Sequence, residues 1–451
     1  MPGRSSGAGR SSGAGRSSGA GRSSGAGRSA AAAVLFTLAA LAGCGGSGHR
    51  APTPSARPVA RAQGDRAPSV VPGLQALFAA RDRALEAGDA AALARTSVGR
   101  QRALDRRDAR RARMLPLRDV HSSLRVLLLT GREATVAVHT SYAFAGASGR
   151  FDAPRTVRAK QTAEGWRVVS AAPGARDRPP WEVVALRPSR SAHFLVLGAP
   201  VPGLLPTLEA GRGRLAAALP GVRPPQRLLV IVAADAAQAR RLTRVISGVE
   251  TLAAISDARV RESGPARRVV AVTGQRLLVV RPAYEGLDQA GRLRVVTHEL
   301  THAALAARTS GRTPAWLIEG VALYASGDDR AAEAARLLRG EPIAGVSAAR
   351  SRIVRRALSL ATLIGPESIA RLSGAAQAAA YAAASAAAFA IADRYGRRGL
   401  LRLYDAFNAV DLPGRVTPAL DDRAARRALG TSLLAIQRAM ERYARAHAPG
   451  F

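Results

Sequence analysis

Apolar side chains recur at helical intervals once the chain leaves its small and polar N-terminal stretch. They fall on one helical face and comprise Leu74, Leu77, Phe78 and Leu85. Gly88 then offers a helix stop and Asp89 a new N-cap. A second, arginine-rich helix is predicted to continue toward Arg113. Two helices therefore open the first folded segment.

Strand-like patterns follow these helices. Residues 123–129 form one strand-like stretch, and residues 134–144 alternate apolar with polar or small side chains. Residues 156–162 and 166–170 predict a hairpin across residues 163–165. Two helices before an antiparallel curled sheet resemble the cystatin-like cone fold of the nuclear transport factor and SnoaL-like families. The resemblance implies an α+β domain over residues 70–175.

The remaining chain predicts a second α+β domain over residues 187–449. Buried strands are expected at 193–197 and 227–232, with a helix at 204–219 between them. A further strand pair, 269–273 and 276–280, is expected to turn at Gly274, and residues 176–180 are expected to form a hinge. Helical patterns then continue to the C-terminus, so the sequence predicts a small mixed sheet followed by a helical half.

The N-terminal stretch has the organisation of a secretory signal. Arg28 precedes a twelve-residue apolar run, which is short for a bilayer span of about 20 residues. The run leads into Leu41-Ala42-Gly43-Cys44, which resembles the bacterial lipobox. The resemblance implies that Cys44 is lipidated and anchors the protein on the extracytoplasmic side of the membrane. An ordinary signal peptide with a chance cysteine is the alternative.

These features divide the N-terminal part into a disordered leader with signal peptide, residues 1–44, and a flexible linker, residues 45–69. Cys44 is the only cysteine in the 451 residues, which excludes an internal disulfide.

The net charge of +35 raises nucleic acid as a partner. Lys160 is the only lysine, and the arginines are spread along the whole chain instead of forming a basic block with interleaved aromatic residues. We therefore predict no nucleic-acid partner. A basic surface is equally suited to a location beside anionic lipid.

The chemistry-bearing motif is His298-Glu299-Leu300-Thr301-His302, within a helical pattern. Histidines at i and i+4 lie one turn apart on one helix face, so both imidazoles can reach a single ion. Zinc accepts neutral imidazole nitrogens, and Glu299 can move the proton of an attacking water without binding the metal. The alternative is a purely structural pair of helical histidines.

A second motif, Thr313-Pro314-Ala315-Trp316-Leu317-Ile318-Glu319-Gly320-Val321-Ala322-Leu323-Tyr324, follows downstream. Thr313 is the predicted N-cap, Pro314 the first helical residue and Gly327 the stop. Sixteen residues separate His302 from Glu319, enough for a helix end, a loop and one turn. Glu319 is thereby a candidate third ligand.

Together the two motifs resemble the gluzincin metallopeptidases, in particular the peptidase MA-like family. The resemblance covers about residues 191–443 and is specific only in its central part. It implies that His298, His302 and Glu319 bind Zn²⁺ and that Glu299 is the general base. The implied substrate is a peptide or protein, with endo- or exopeptidase action left open.

Further expectations come from the same resemblance. Zinc aminopeptidases place an oxyanion-stabilising tyrosine after the third ligand, which indicates Tyr381, with Tyr324 and Tyr395 as alternatives. Strand 276–280 is expected at a sheet edge that pairs with extended peptide, although Pro282 would end that edge. Two other functions stay open: a catalytically silent binding lipoprotein built on the peptidase scaffold, and a structural lipoprotein with a coincidental motif.

Overall fold

The structure is a computed structural model that describes residues 67–244, 249, 252–264, 267–341, 348–409 and 416–448, and all of them belong to one compact unit. The predicted signal sequence and Cys44 lie outside the described residues. The described chain has mixed α and β structure, with small sheets first and a helical C-terminal half. This confirms the predicted fold class at that level.

Three helices and an antiparallel sheet form the first part. The elements are α1 (Ala67–Glu86), α2 (Ala90–Arg95), α3 (Gln101–Ala112), β1 (Leu117–Thr130), β2 (Glu133–Phe144), β3 (Phe151–Thr162) and β4 (Gly165–Pro173). The sheet has the order β1-β2-β3-β4, with each strand antiparallel to the next. Leu74 and Phe78 of α1 are buried in a core with Val136 and Val157 of the sheet. The apolar face of α1 that the sequence pattern predicted thus packs against the sheet.

A second sheet contains parallel strands at its centre. The elements are α4 (Pro180–Val183), β5 (Ser189–Arg190), β6 (Phe194–Gly198), α5 (Leu204–Ala218), β7 (Leu228–Ala233), α6 (Ala236–Leu242), β8 (Ala254–Ser263) and β9 (Arg268–Val280). The strand order is β5-β6-β7-β9-β8. Every residue of β6 and β7 is buried, as expected for parallel strands covered on both faces.

The expected turn at Gly274 is wrong. Residues 268–280 form the single strand β9, which pairs with β7 on one side and with β8, a strand that was not predicted, on the other. A Cβ at Gly274 would lie 2.1 Å from the carbonyl oxygen of Arg150. The glycine therefore allows a loop of the first sheet to approach the strand backbone closely. Because β9 lies between β7 and β8, it is also not an edge strand; β8 has the outer position.

Helices make up the rest of the described chain. They are α7 (Arg281–Glu285), α8 (Gln289–Leu305), α9 (Ala315–Ser326), α10 (Ala331–Leu338), α11 (Ala348–Ala357), α12 (Gly374–Ala409), α13 (Pro418–Leu429) and α14 (Leu433–Ala446). Helix α12 breaks at Gly396, where φ is 70° and ψ is 168°. Among the described residues it alone is long and apolar enough to span a membrane, but its apolar window is 72% buried inside the protein. Its burial is that of a central core helix.

The segment predicted as a hinge carries a buried ion network. Asp177 is 3% exposed and pairs with Arg244, Arg259 and Arg276. Arg276 of β9 also pairs with Asp257 of β8 at 2.7 Å. A shared hydrophobic core, which includes Tyr142 and Phe144 of the first sheet with Leu229 and Leu278 of the second, surrounds this network. The two sheets are therefore packed together across this segment.

Helices α9 and α12 cross at Gly320. A Cβ there would lie 2.5 Å from the carbonyl oxygen of Ala384, which is backbone and cannot move aside cheaply. We predict that Gly320→Ala separates the helices and lowers the free energy of unfolding by about 1–3 kcal/mol. Urea denaturation measures this effect.

The matched control is Gly213→Ala, in helix α5. Gly213 is exposed, and its added Cβ would meet nothing within 4 Å. Since alanine is the better helix former, this variant is expected to gain about 0.5–1 kcal/mol. Equal changes in the two variants would contradict the close helix contact.

Candidate metal centre

Helix α8 presents the two histidines of the first motif to the protein interior. It begins at the N-cap Asp288, whose side chain accepts a hydrogen bond from the Gly291 N–H at 2.6 Å. One turn separates His298 from His302, and both are buried, with 2% and 6% of their surface exposed. Residues 295–303 of the helix are all buried, and α5 packs closely against this part: a Cβ at Gly211 would lie 2.7 Å from Val296 Cγ1.

Helix α9 carries Glu319, which is fully buried. Its N-cap is Pro314, one residue later than predicted, because the Thr313 hydroxyl instead accepts a hydrogen bond from the Ser310 N–H at 3.0 Å. The predicted stop is confirmed: Gly327 caps the helix in the left-handed conformation with φ of 66°. These two ends fix the turn from which Glu319 points toward α8.

The structure brings His298, His302 and Glu319 into one cluster. The Nε2 atoms of the histidines are 3.0 Å apart, and Glu319 Oε2 lies 3.2 Å from His298 Nε2 and 3.7 Å from His302 Nε2. Ligand atoms at about 2.0–2.1 Å from a tetrahedral ion are separated by about 3.3 Å. The three atoms are therefore spaced as metal ligands, and this buried cluster could bind a metal ion.

Unsatisfied oxygens of Glu319 support this fit. Among the described residues neither oxygen has a hydrogen-bond donor in satisfactory geometry. Buried carboxylates ordinarily have such donors or coordinate a metal. A cation between Glu319 and the two imidazoles would satisfy all three side chains at once.

The pKa values show how strongly these groups interact. Burial alone would raise the pKa of Glu319, but the charge of a protonated His302 and the contacts with both imidazoles lower it to about 2. Burial also disfavours a charged His302, yet the Glu319 carboxylate offsets this and raises the His302 pKa. Burial dominates at His298 and lowers its pKa. The carboxylate is thus ionised and His298 favours the neutral form that metal ligation requires, whereas His302 would release a proton when a metal binds.

Glu299 lies on the same helix, beside the cluster. Its Oε2 accepts a hydrogen bond from the backbone N–H of Ser256 in β8 at 2.7 Å. Burial raises the pKa of Glu299 to about 8, against the opposing charge of His302. Because Oε2 is engaged by β8, Oε1 is the oxygen available to take up a proton.

Tyr381 is fully buried on α12, three residues before the crossing point with α9, and the Arg330 guanidinium lies 5.6 Å from its ring centroid. Tyr324 makes an edge contact with Phe389 at 4.9 Å, which is an aromatic packing role. The expected oxyanion donor therefore lies on a helix that contacts α9, and its role stays a prediction.

Three further features were not anticipated. The charge of Asp328 contributes to the pKa of His298, and its backbone carbonyl accepts a hydrogen bond from Ser385 Oγ at 2.8 Å. Ser385 in turn accepts from the Arg330 N–H at 3.1 Å, so α12 holds the loop that follows α9. The hydrogen bond from the Ser256 N–H to Glu299 was not predicted either. A backbone donor leaves no mark on residue type, and β8 itself had no pattern that identified it.

Asp421 of α13 supports the first turn of α9. It accepts a hydrogen bond from Trp316 Nε1–H at 3.3 Å and is 1% exposed. Burial raises its pKa to about 7, so above that pH the folded chain holds an unfavourable buried charge. Stability from this group is therefore lost as pH rises from about 4 to about 7.

We predict that Asp421→Asn, which keeps an oxygen for Trp316, raises the unfolding temperature at about pH 8 and changes it little at about pH 4.5. Its half-buried neighbour Asp422 serves as the control, because the Arg426 side chain and the Leu433 N–H lower its pKa. Asp422→Asn is expected to lose stability at pH 8. Thermal unfolding at both pH values tests the pair, and a loss at pH 8 in Asp421→Asn would contradict the prediction.

No family model, curated protein sequence or solved structure matches this chain.

Proposed function

We propose that the protein is a zinc-dependent metallopeptidase of the gluzincin type. The observation that carries the proposal is the convergence of His298, His302 and Glu319, whose ligand atoms are 3.0 to 3.7 Å apart. A second buried glutamate, Glu299, lies beside them on the helix that carries the histidines. Three protein ligands leave a fourth position of a tetrahedral ion for a water or substrate, which distinguishes catalytic zinc sites from closed structural ones.

Zinc is favoured over other ions by the chemistry of the donors. Two imidazoles and one carboxylate suit zinc, whereas calcium and magnesium prefer oxygen donors throughout. When bound, zinc supplies a Lewis acid that polarises the scissile carbonyl and acidifies a neighbouring water. The helix pair α8 and α9 supplies the ligands in a buried position where competing water is limited.

Proton transfer is assigned to Glu299. Its Oε1 takes the proton of the attacking water and then delivers it to the leaving amine. The Ser256 N–H holds Oε2 at 2.7 Å and so fixes the orientation of the carboxylate. Burial raises the pKa of Glu299 to about 8 in the metal-free chain, and the positive charge of a bound Zn²⁺ would favour the ionised form that a base requires. A glutamate with this environment suits the double role of base and acid.

Two observations support a proposed substrate class and a proposed location. Strand β8 lies at the outer edge of its sheet among the described residues, and it contacts Glu299 through Ser256. Residues 254–259 of β8 are buried, so an extended peptide is proposed to pair with the accessible residues 260–263. The lipobox-like sequence that ends at Cys44 supports an anchored, extracytoplasmic protein whose substrates are peptides or proteins on that side of the membrane. Because the arginines are dispersed along the chain, we propose no nucleic acid as a partner.

We predict that Glu299→Gln abolishes peptide cleavage while metal binding is retained. Glutamine is nearly isosteric and can still accept from Ser256, but it cannot carry the proton, so the rate should fall by about 100-fold or more. Mass spectrometry of a peptide-library digest, with metal content measured in parallel, tests this. Equal cleavage by both chains would refute the role of Glu299. Bound zinc without cleavage by the unaltered chain would favour a silent binding lipoprotein.

Tyr381 is proposed to donate a hydrogen bond to the oxyanion. Tyr381→Phe keeps the buried ring, so kcat should fall by about 100-fold with little change in KM, the cost of one oxyanion donor. Tyr324→Phe is the matched control, because its ring packs on Phe389. Steady-state kinetics on a cleaved peptide measures both variants. An unchanged kcat in Tyr381→Phe would remove that residue from the mechanism.

A further inference from the structure

Three consecutive leucines are exposed at the end of strand β1. Leu127, Leu128 and Leu129, here named the leucine tip, have 45%, 61% and 36% of their surface exposed. They lie beside the turn that joins β1 to β2 at residues 131–132. The other large apolar side chains exposed among the described residues occur singly along the chain. Contiguous exposed apolar residues mark an interaction surface, whereas scattered ones do not.

A break in the strand register exposes the tip. Val126 pairs with Val136, but Leu128 pairs with Thr135, so Leu127 is an extra residue on β1. Such a bulge interrupts the alternation that would otherwise place every second side chain in the core. Strand β1 is also the edge of its sheet among the described residues. The leucines are therefore held outward by the backbone.

The first described residue, Ala67, lies at the same end of this part of the protein. Helix α1 runs antiparallel to β1, since Glu86 Oε2 accepts a hydrogen bond from the Val120 N–H and Asp82 accepts one from the Ser122 N–H. From Asp82 back to Ala67 the helix rises about 22 Å. From Ser122 forward to Leu129 the strand extends about 23 Å. Ala67 is therefore level with the leucine tip.

Basic side chains lie on both sides of the leucine tip, and the one carboxylate in the adjoining turn, Glu133, is paired with Arg158 at 3.1 Å. Arg125 and Arg132 flank it in sequence and are exposed, and Lys160 lies opposite Glu133 in the adjoining strand pair. Apolar side chains that project beyond a cationic rim match the interface of an anionic bilayer, where the apolar groups enter the headgroup boundary and the cations face lipid phosphates. The charge pattern selects a lipid surface as the partner.

We propose that the leucine tip inserts into the surface of the membrane to which the chain is tethered. The proposal rests on the proposed anchoring at Cys44 for its direction: residues 45–66, a 22-residue segment, connect that cysteine to Ala67 at the same end of the domain. A tether alone leaves the protein free to rotate, whereas a second contact at the leucine tip fixes which end faces the bilayer. The first sheet is then oriented with its β1–β2 turn toward the bilayer.

Fluorescence of an added tryptophan tests this placement. Leu128→Trp and the control Leu434→Trp, whose position on α14 is 58% exposed, are made in the full chain and reconstituted on vesicles of phosphatidylcholine and phosphatidylglycerol. Brominated acyl chains quench only a tryptophan that contacts the bilayer. The native tryptophans Trp166, Trp181 and Trp316 are buried and supply the same background in both variants.

The expected result is strong quenching and a blue-shifted emission for Leu128→Trp, with neither for Leu434→Trp. Equal quenching of the two variants, or a chain that does not float with the vesicles, would overturn the proposal. A blue shift of Leu128→Trp that grows with protein concentration in the absence of lipid would also overturn it, since a second copy would then cover the tip. Metal content and peptidase activity do not enter this readout, so the failure of either proposal is recognised separately.

Discussion

The burial of Glu319 between two histidines is the constraint on which the rest of the site depends. A carboxylate removed from water is costly unless positive charge or hydrogen-bond donors compensate it. Here His298 and His302, at 3.2 and 3.7 Å, supply part of this compensation. The proposed cation would supply the rest, because neither oxygen of Glu319 has a well-placed hydrogen-bond donor among the described residues. The surrounding contacts hold the two helices in the positions that this requires. Gly320 allows α12 to approach α9, and Gly211 allows α5 to approach α8.

Strand β8 connects the site to the packing of the two sheets. Ser256 donates its N–H to Glu299, and the next residue, Asp257, is held by Arg276 in the buried ion network. Asp177, from the segment between the sheets, contacts the same arginine at 3.0 Å. The orientation of the proposed base thus depends on charges that also join the first sheet to the second. Removing one partner from such a network leaves an uncompensated buried charge, which is costly.

The sequence was most informative where one residue type has one structural use. Histidines four residues apart on a helix share a face, and Glu319 fell within reach of them in the structure, as its spacing indicated. Gly327 ended α9 as expected because glycine adopts the left-handed conformation without strain. The four strands of the first part were located, although the structure extends them beyond the predicted bounds. The predicted second helix was wrong, because residues 96–100 divide it into α2 and α3.

The sequence misled where one residue type serves several purposes. Gly274 was interpreted as a turn, but it relieves contact with the Arg150 carbonyl within a continuous strand. Strand β8 was missed because its buried half contains Asp257 and Arg259, charged residues that only the ion network makes compatible with burial. The hydrogen bond from Ser256 to Glu299 joins residues 43 positions apart and involves a backbone atom. Such contacts follow from tertiary packing and carry no local signature.

The central claim is that His298, His302 and Glu319 hold zinc. X-ray absorption at the zinc K edge of the purified full-length chain tests it most directly, together with elemental analysis. The account predicts about one zinc per chain, with a first shell of nitrogen and oxygen at about 2.0–2.1 Å that is lost in His298→Ala. Absence of zinc from the folded, unaltered chain, or zinc that persists unchanged in His298→Ala, would contradict it.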